Sequence, residues 1–168
     1  MDDTAPIVIG HDGSDFADEA LRKGLWLASK IGAPVRIVRA WTISNAPRPR
    51  TWTPGYVPPV EDFAAAVEEQ LRSQTEALRA EFPEVEVGFD VPHGAAGREL
   101  VKLSDGARVL VVGTRGQGGF AGLLLGSVSD QVVEHARCDV LVIRRGSGDP
   151  APPRSLRLDQ AIEPGQGS

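Results

Sequence analysis

The sequence has a single cysteine and few histidines, and these shortages exclude several kinds of site. Cys138 has no second cysteine with which it could form an intramolecular disulfide. The three histidines, His11, His93 and His135, lie far apart in the chain, and no HxxxH or CxxC spacing occurs. The sequence therefore gives no indication of a metal site, and we assign no metal ligands.

An excess of positive charge and long apolar runs are also missing. The chain has 18 Lys and Arg residues against 23 Asp and Glu, which gives a net charge of −5, and the basic residues are scattered. Surfaces that bind nucleic acid are normally basic, so we expect no nucleic-acid partner. No apolar run approaches the length that crosses a bilayer, and the start Met1-Asp2-Asp3 lacks the basic residues of a signal peptide. We therefore expect no membrane association and a cytoplasmic location.

Glycine is abundant, and a glycine-rich run follows an apolar stretch at 109–112. The run ends at Gly126-Ser127-Val128-Ser129. Because glycine has no Cβ, such a loop can bring its backbone N–H groups close to an anion. Serines at the start of the following helix would add hydroxyl donors where the helix dipole also favours negative charge. The run therefore predicts a phosphate site at a strand-to-helix turn.

Two common glycine signatures do not fit this run. A P-loop needs Gly-x4-Gly-Lys-[Ser/Thr], and Gly113 and Gly118 have that spacing. Gly119 and Phe120, however, stand where the lysine and the hydroxyl residue belong, so the cation that binds the β- and γ-phosphates is missing.

The dinucleotide fingerprint Gly-x-Gly-x-x-[Gly/Ala] is matched by Gly116, Gly118 and Ala121. In a dinucleotide-binding domain it follows the first strand, whereas here it follows the fourth. The acidic residue with the expected spacing, Asp139, lies at the entry of the next strand, which is the wrong end to bind a ribose. The position in the chain therefore argues against a dinucleotide site.

Apolar periodicity predicts strands that alternate with helices. The predicted strands are 7–9, 35–41, 85–91, 108–113 and 140–143, and the predicted helices are 16–31, 61–82, 97–104 and 127–135. Asp15 is expected to cap the first helix. Such alternation favours right-handed crossovers and a parallel sheet with helices on both faces. We expect one domain over 1–146 with a long proline-rich loop at 42–60, followed by a disordered tail at 147–168.

A third glycine pattern, Gly-x2-Gly-x9-Gly-[Ser/Thr], is met by Gly113, Gly116, Gly126 and Ser127. Together with the segment 7–14, which reads Ile-Val-Ile-Gly-His-Asp-Gly-Ser, it resembles the universal stress protein family over about residues 5–145. The resemblance implies a flavodoxin-like (Rossmann-like), doubly wound five-stranded parallel sheet in the order 3-2-1-4-5. It also implies ATP as the ligand, with or without Mg²⁺, because the subgroup with this glycine pattern binds ATP.

Ligands of open doubly wound sheets bind beyond the carboxyl ends of the strands, where the strand order reverses. If strands 1 and 4 are central neighbours, Asp12 and the glycine-rich run face one crevice. The candidate site residues are Asp12, Ala40, Gly113, Arg115, Gly116, Gly126, Ser127, Val128 and Ser129. The run and its serines would bind phosphates, and Asp12 would accept a ribose hydroxyl or an adenine amino proton. By resemblance, the backbone of Ala40 would contact adenine.

Each of these roles has a structural alternative. Asp12 could form an Asx-type turn, the serines could simply cap a helix, and Arg115 could be a solvated loop charge. His11 is expected to be structural, and the sequence assigns no role to Arg39.

The expected function is that of a nucleotide-binding regulatory or stress-response module with at most slow hydrolysis. The sequence contains no Walker lysine and no recognisable metal-binding carboxylate pair. A Mg²⁺-dependent ATP hydrolase or phosphotransferase, and an interaction module that binds no nucleotide, are the alternatives. A homodimer through strand 5 is expected, because an edge strand leaves backbone groups unpaired. The residues of that strand are Val140, Leu141, Val142 and Ile143.

Overall fold

The computed structural model describes residues 5–117 and 124–146, and in these ranges strands and helices alternate along the chain. In chain order the elements are β1 (Ile7–Gly10), α1 (Asp15–Ile31), β2 (Val35–Val38), α2 (Val60–Ala80), β3 (Val87–Asp90), α3 (Ala96–Leu103), β4 (Val109–Gly113), α4 (Ser127–His135) and β5 (Asp139–Ile143). The predicted tail at 147–168 and positions 118–123 of the glycine-rich run lie outside the described residues.

The strands form one parallel sheet in the order β3-β2-β1-β4-β5. The predicted flavodoxin-like α/β fold is therefore confirmed, including the strand order. β1 pairs with β2 on one side and with β4 on the other, so the order reverses between β1 and β4. A crevice is expected at the carboxyl ends of these strands.

The core lies on both faces of the sheet because successive strand side chains point to opposite faces. Ile7 and Ile9 of β1 pack with residues of α1 and α2, including Leu21 and Leu71. Val8, between the two isoleucines, packs on the other face with α3 and α4. Burial on both faces explains why β1 and β4 read as continuous apolar runs.

Helix α1 begins after Ser14, so the expectation that Asp15 caps it is wrong. Ser14 has extended backbone angles, and its hydroxyl accepts a hydrogen bond from the Ala17 N–H at 3.3 Å. Asp15 is the first helical residue, where its negative charge suits the helix dipole, and its carboxylate pairs with Arg145 at 2.9 Å. Gly32, with a φ of +65°, ends the helix.

Strand β2 is shorter than predicted and ends at Val38. The chain beyond it continues beside the chain that follows β3, because the Trp41 N–H donates to the Pro92 carbonyl at 3.1 Å. The long loop that follows is fastened to α2, where Thr51 donates to Asp62 at 2.6 Å and Arg50 pairs with Glu69.

Strand β5 lies at an edge of the sheet and, among the described residues, pairs with β4 alone. Leu141 is exposed and Ile143 is buried, while Val140 and Val142 are partly buried.

Candidate functional site

A crevice of about 720 Å³ opens at the carboxyl ends of β1, β2 and β4. This volume lies within the usual range for small-molecule sites, about 300–1,000 Å³. All of the site residues predicted from the sequence line it: Asp12, Ala40, Gly113, Arg115, Gly116, Gly126, Ser127, Val128 and Ser129. The fold thus brings the β1–α1 turn and the two ends of the glycine-rich run to one cavity.

Close packing explains two of the glycines in the crevice wall. A Cβ on Gly113 would lie 2.7 Å from the Phe16 carbonyl oxygen, which belongs to the backbone of α1 and cannot easily move. A Cβ on Gly116 would overlap the Asp12 carboxylate. Gly126 differs, because the nearest atom to an added Cβ would be Arg115 Cα at 3.5 Å, an ordinary contact. Packing against the described residues therefore does not require glycine at position 126.

Helix α4 begins at the crevice without a side-chain cap. Gly126 is the N-cap residue, and its own N–H donates to the Thr114 carbonyl at 2.7 Å. The N–H groups of Ser127, Val128 and Ser129 follow in the first helical turn, where no intrahelical acceptor exists. Such a turn can bind an anion through its backbone.

The two serines of α4 differ in their surroundings. Ser129 is buried, and its hydroxyl donates to the Gly113 carbonyl at 2.6 Å, so it ties α4 to the end of β4. Ser127 is exposed at the crevice mouth. In this arrangement Ser129 can offer a ligand its backbone N–H, whereas its hydroxyl proton is already used.

Asp12 accepts three hydrogen bonds from its own chain. Its Oδ1 accepts from the Ser14 N–H at 3.0 Å and from the Ser14 hydroxyl at 2.6 Å, which is an Asx-type turn. Its Oδ2 accepts from the Gln117 N–H at 2.8 Å, and the Gln117 side-chain amide donates to the Asp12 carbonyl at 2.8 Å. Asp12 remains exposed in the crevice. Asp12 can therefore hold the Asx-type turn and also face a ligand in the crevice.

Two buried polar residues support the Asp12 segment. Arg39 follows β2, and its Nε donates to the His11 carbonyl at 3.0 Å, while its second guanidinium nitrogen lies 2.9 Å from His11 Nδ1. His11 Nε2 lies 2.9 Å from the Asp18 carboxylate. His11 and Arg39 both line the crevice, although no pattern in the sequence assigns Arg39 to it.

Burial is the main influence on the pKa values of His11 and Arg39. Burial lowers the pKa of His11 below its ordinary value, and the charge of Arg39 lowers it further, whereas the hydrogen bond that the ring donates to Asp18 raises it. Burial likewise lowers the pKa of Arg39, whereas the nearby charges of Asp12 and Asp18 raise it. The imidazole is therefore held neutral beside a guanidinium that still carries its charge.

The opposite wall is formed by α2 and the long loop. Gln70 and Gln74 of α2 line the crevice together with Asn45 and Pro47 of the loop. This wall offers amide groups, which can donate or accept hydrogen bonds. Trp41 is buried at the base of the loop and packs against other aromatic rings, so it anchors the loop.

Two features are absent from residues 5–117 and 124–146. No group of three or more His, Cys, Asp or Glu side chains there could hold a metal ion. None of the helices is long and apolar enough to cross a membrane.

Comparison with known proteins identifies relatives over most of the chain. The sequence model of the universal stress protein family matches residues 4–144. Universal stress protein Rv2005c from Mycobacterium tuberculosis is 35% identical over 144 residues, which cover 84% of this chain and 46% of that protein. The chain spans about half the length of the curated relatives it matches.

Solved structures with the same fold include a universal stress protein in complex with cAMP. That protein is 27% identical, with a TM-score of 0.62, and the match covers 84% of this chain and 97% of that one. The universal stress protein UspA from Lactobacillus plantarum is 20% identical, with a TM-score of 0.64, and the match covers 83% of this chain and 97% of that one. The second likeness concerns the fold alone.

Proposed function

The chain belongs to the universal stress protein family, and on that premise we propose that its crevice binds an adenine nucleotide, with ATP as the preferred ligand. The nucleotide acts as a regulatory ligand of a stress-response module. A related protein, 27% identical, has been solved in complex with cAMP, which supports an adenine nucleotide as the class of ligand.

One observation carries the proposal: the uncapped first turn of α4 and the Asp12 carboxylate line the same crevice. An adenine nucleotide has an anionic end and hydroxyl and amino donors, and these two features complement it. Phosphates would accept from the N–H groups of Ser127, Val128 and Ser129, with Arg115 close by in the wall. Asp12 would accept from the ribose or from the adenine amino group.

Adenine would lie towards the end of β2, beside the backbone of Ala40. A contact through the backbone makes no demand on the side chain, which agrees with alanine at this position. The amide side chains of Gln70 and Gln74 form the adjoining wall and can donate to or accept from the base.

The proposed role is binding, with at most slow hydrolysis. The glycine-rich run has no lysine at the position that a P-loop uses to neutralise the charge that develops on the phosphates. Phosphate release from ATP in the presence of Mg²⁺ should be slower than about one turnover per second. Faster release would favour the alternative of a hydrolase or phosphotransferase.

The proposed assembly is a homodimer through β5. This edge strand carries the exposed Leu141 between the partly buried Val140 and Val142, and its outer backbone groups have no strand partner among the described residues. A second copy would cover these groups.

Isothermal titration calorimetry with ATP, AMP and cAMP tests the binding proposal. We expect one site per chain for ATP, and we expect the substitution Gly126→Ala to weaken binding at least about tenfold. The added methyl group finds ordinary contacts in the protein itself, so its effect would come from the phosphates. Gly88→Ala, in β3 away from the crevice, is the matched control. A wild-type chain that binds none of the three nucleotides would overturn the proposal.

A further inference from the structure

Arg39 is a buried cation whose described hydrogen-bond partners are all uncharged. Its side chain is directed to the His11 carbonyl, the His11 ring and, at 3.4 Å, the Gln70 amide oxygen. Only 9% of the residue is exposed. Burying a guanidinium is costly unless its donors are satisfied, and here the bonds to His11 and Gln70 satisfy them.

The two bonds to His11 act directly on the candidate site, because His11 precedes Asp12 in the chain. One bond holds the carbonyl of the peptide that joins the two residues, and the other holds the ring. The His11 N–H also donates to the Val38 carbonyl at 2.9 Å. Three hydrogen bonds therefore fasten His11 to Val38 and Arg39 at the end of β2, and one of them holds the peptide that joins His11 to Asp12.

The same contacts decide which tautomer His11 adopts. A guanidinium can only donate hydrogen bonds, so His11 Nδ1 beside Arg39 must be the acceptor. A carboxylate accepts, so Nε2 carries the proton that is donated to Asp18. Among residues 5–117 and 124–146, the charged groups that act on the ring are Asp18 of α1, Arg39 after β2 and Asp12 of the β1–α1 turn.

We propose that Arg39 is a positioning residue of the crevice, which fixes the His11–Asp12 peptide and the neutral Nε2-protonated form of His11. Nucleotide affinity is thereby made independent of pH near neutrality. This inference rests on the proposed function, since it assumes that Asp12 receives the nucleotide.

Replacing Arg39 should change both the position of the His11–Asp12 peptide and the protonation of His11. In Arg39→Met the His11 carbonyl and Nδ1 lose their donors, and the neighbouring cation that disfavours protonation of the ring is gone. The pKa of His11 should rise, and a protonated ring would present an N–H on Nδ1 to an apolar side chain. The ring must then reorient, and Asp12 moves with it.

Calorimetric titration with ATP at pH 6.5 and pH 8 measures how the substitution changes the affinity and its pH dependence. The wild-type affinity should agree within about twofold between the two pH values. Arg39→Met should bind at least about tenfold more weakly at pH 8 and weaker still at pH 6.5. Arg39→Lys keeps the charge with a single donor centre, so it should restore the flat pH profile and only part of the affinity. The matched control is Arg36→Met, which removes an exposed arginine of β2 that pairs with Asp90.

Long-range ¹H–¹⁵N spectra of the wild-type chain provide a readout that needs neither a variant nor a nucleotide. They should show His11 as the neutral form protonated on Nε2 at pH 7. A proton on Nδ1, or wild-type affinity and a flat pH profile in Arg39→Met, would overturn the inference. If the wild-type chain bound no nucleotide, the proposed function would fail. The role of Arg39 in holding His11 would then still be decided by the spectra and by the His11 titration in Arg39→Met, where the pKa of His11 should rise.

Discussion

Asp12 joins the β1–α1 turn to the glycine-rich run, because its carboxylate accepts from both Ser14 and Gln117. An amide at this position has one acceptor oxygen for these three donors and carries no charge. Asp12→Asn should therefore lower the affinity for ATP at least about tenfold, as measured by calorimetry. The exposed Asp105, which pairs with Arg137, provides the control substitution Asp105→Asn. Equal affinity in Asp12→Asn and wild type would show that the nucleotide does not use this carboxylate.

The burial of His11 predicts how stability changes with pH. Its pKa is lowered in the folded chain, whereas the unfolded chain has the ordinary value of about 6.5. As the pH falls below about 6.5, the unfolded chain takes up a proton that the folded chain excludes. The free energy of unfolding should therefore decrease as the pH falls below that value, and His11 should add no such slope well above it.

Urea denaturation between pH 5 and pH 8 measures this slope. Carboxylates contribute at the acid end, so the comparison is made with His11→Gln, which should show a smaller decrease. The same exchange at the exposed His135 is the matched control. Parallel curves for wild type and His11→Gln would mean that the imidazole does not resist protonation.

Sequence reasoning found the residues of the crevice that follow a pattern and missed those that depend on side-chain direction. Gly113, Gly116 and Ser127 were recognisable by their spacing. Arg39 was not, because a charged residue after a strand can point to solvent or inward with the same local sequence. Its inward direction depends on His11, which is far away along the chain.

At the level of elements, the start of α1 matters for both stability and the site. The Ser14 hydroxyl accepts from the Ala17 N–H and donates to Asp12. Ser14→Ala removes this cap and should lower the free energy of unfolding by about 1 kcal/mol, measured by thermal or urea denaturation. Ser73→Ala, on the exposed side of α2, is the control and should change stability little. An unchanged stability in Ser14→Ala would show that Asp15 can replace the cap.

Element boundaries were predictable where the local sequence contains a clear signal. Helix α4 runs from Ser127 to His135 as predicted, because a glycine precedes an apolar pattern of helical period. Strand β2 was predicted too long, since the residues after Val38 have no turn signal. The assignment of the α1 cap was ambiguous, because Ser14 and Asp15 are both favoured at helix starts.

At the level of the whole molecule, β5 is the edge where a second copy would pair. Sedimentation velocity at tens of micromolar should show a dimer for the wild-type chain. Leu141→Lys places a charge on this edge and should shift the equilibrium to the monomer. Ile43→Lys, at an exposed position of the long loop, is the matched control. A monomeric wild-type chain at this concentration would refute the dimer.

A ¹⁵N-resolved titration of the wild-type chain with ATP shows, residue by residue, whether one nucleotide lies between Asp12 and the first turn of α4. We expect saturable shifts of the backbone N–H signals of Asp12, Gly113 and the segment 126–129, with little change in β3. Shifts confined to other surfaces, or none at millimolar ATP, would contradict this placement of the nucleotide.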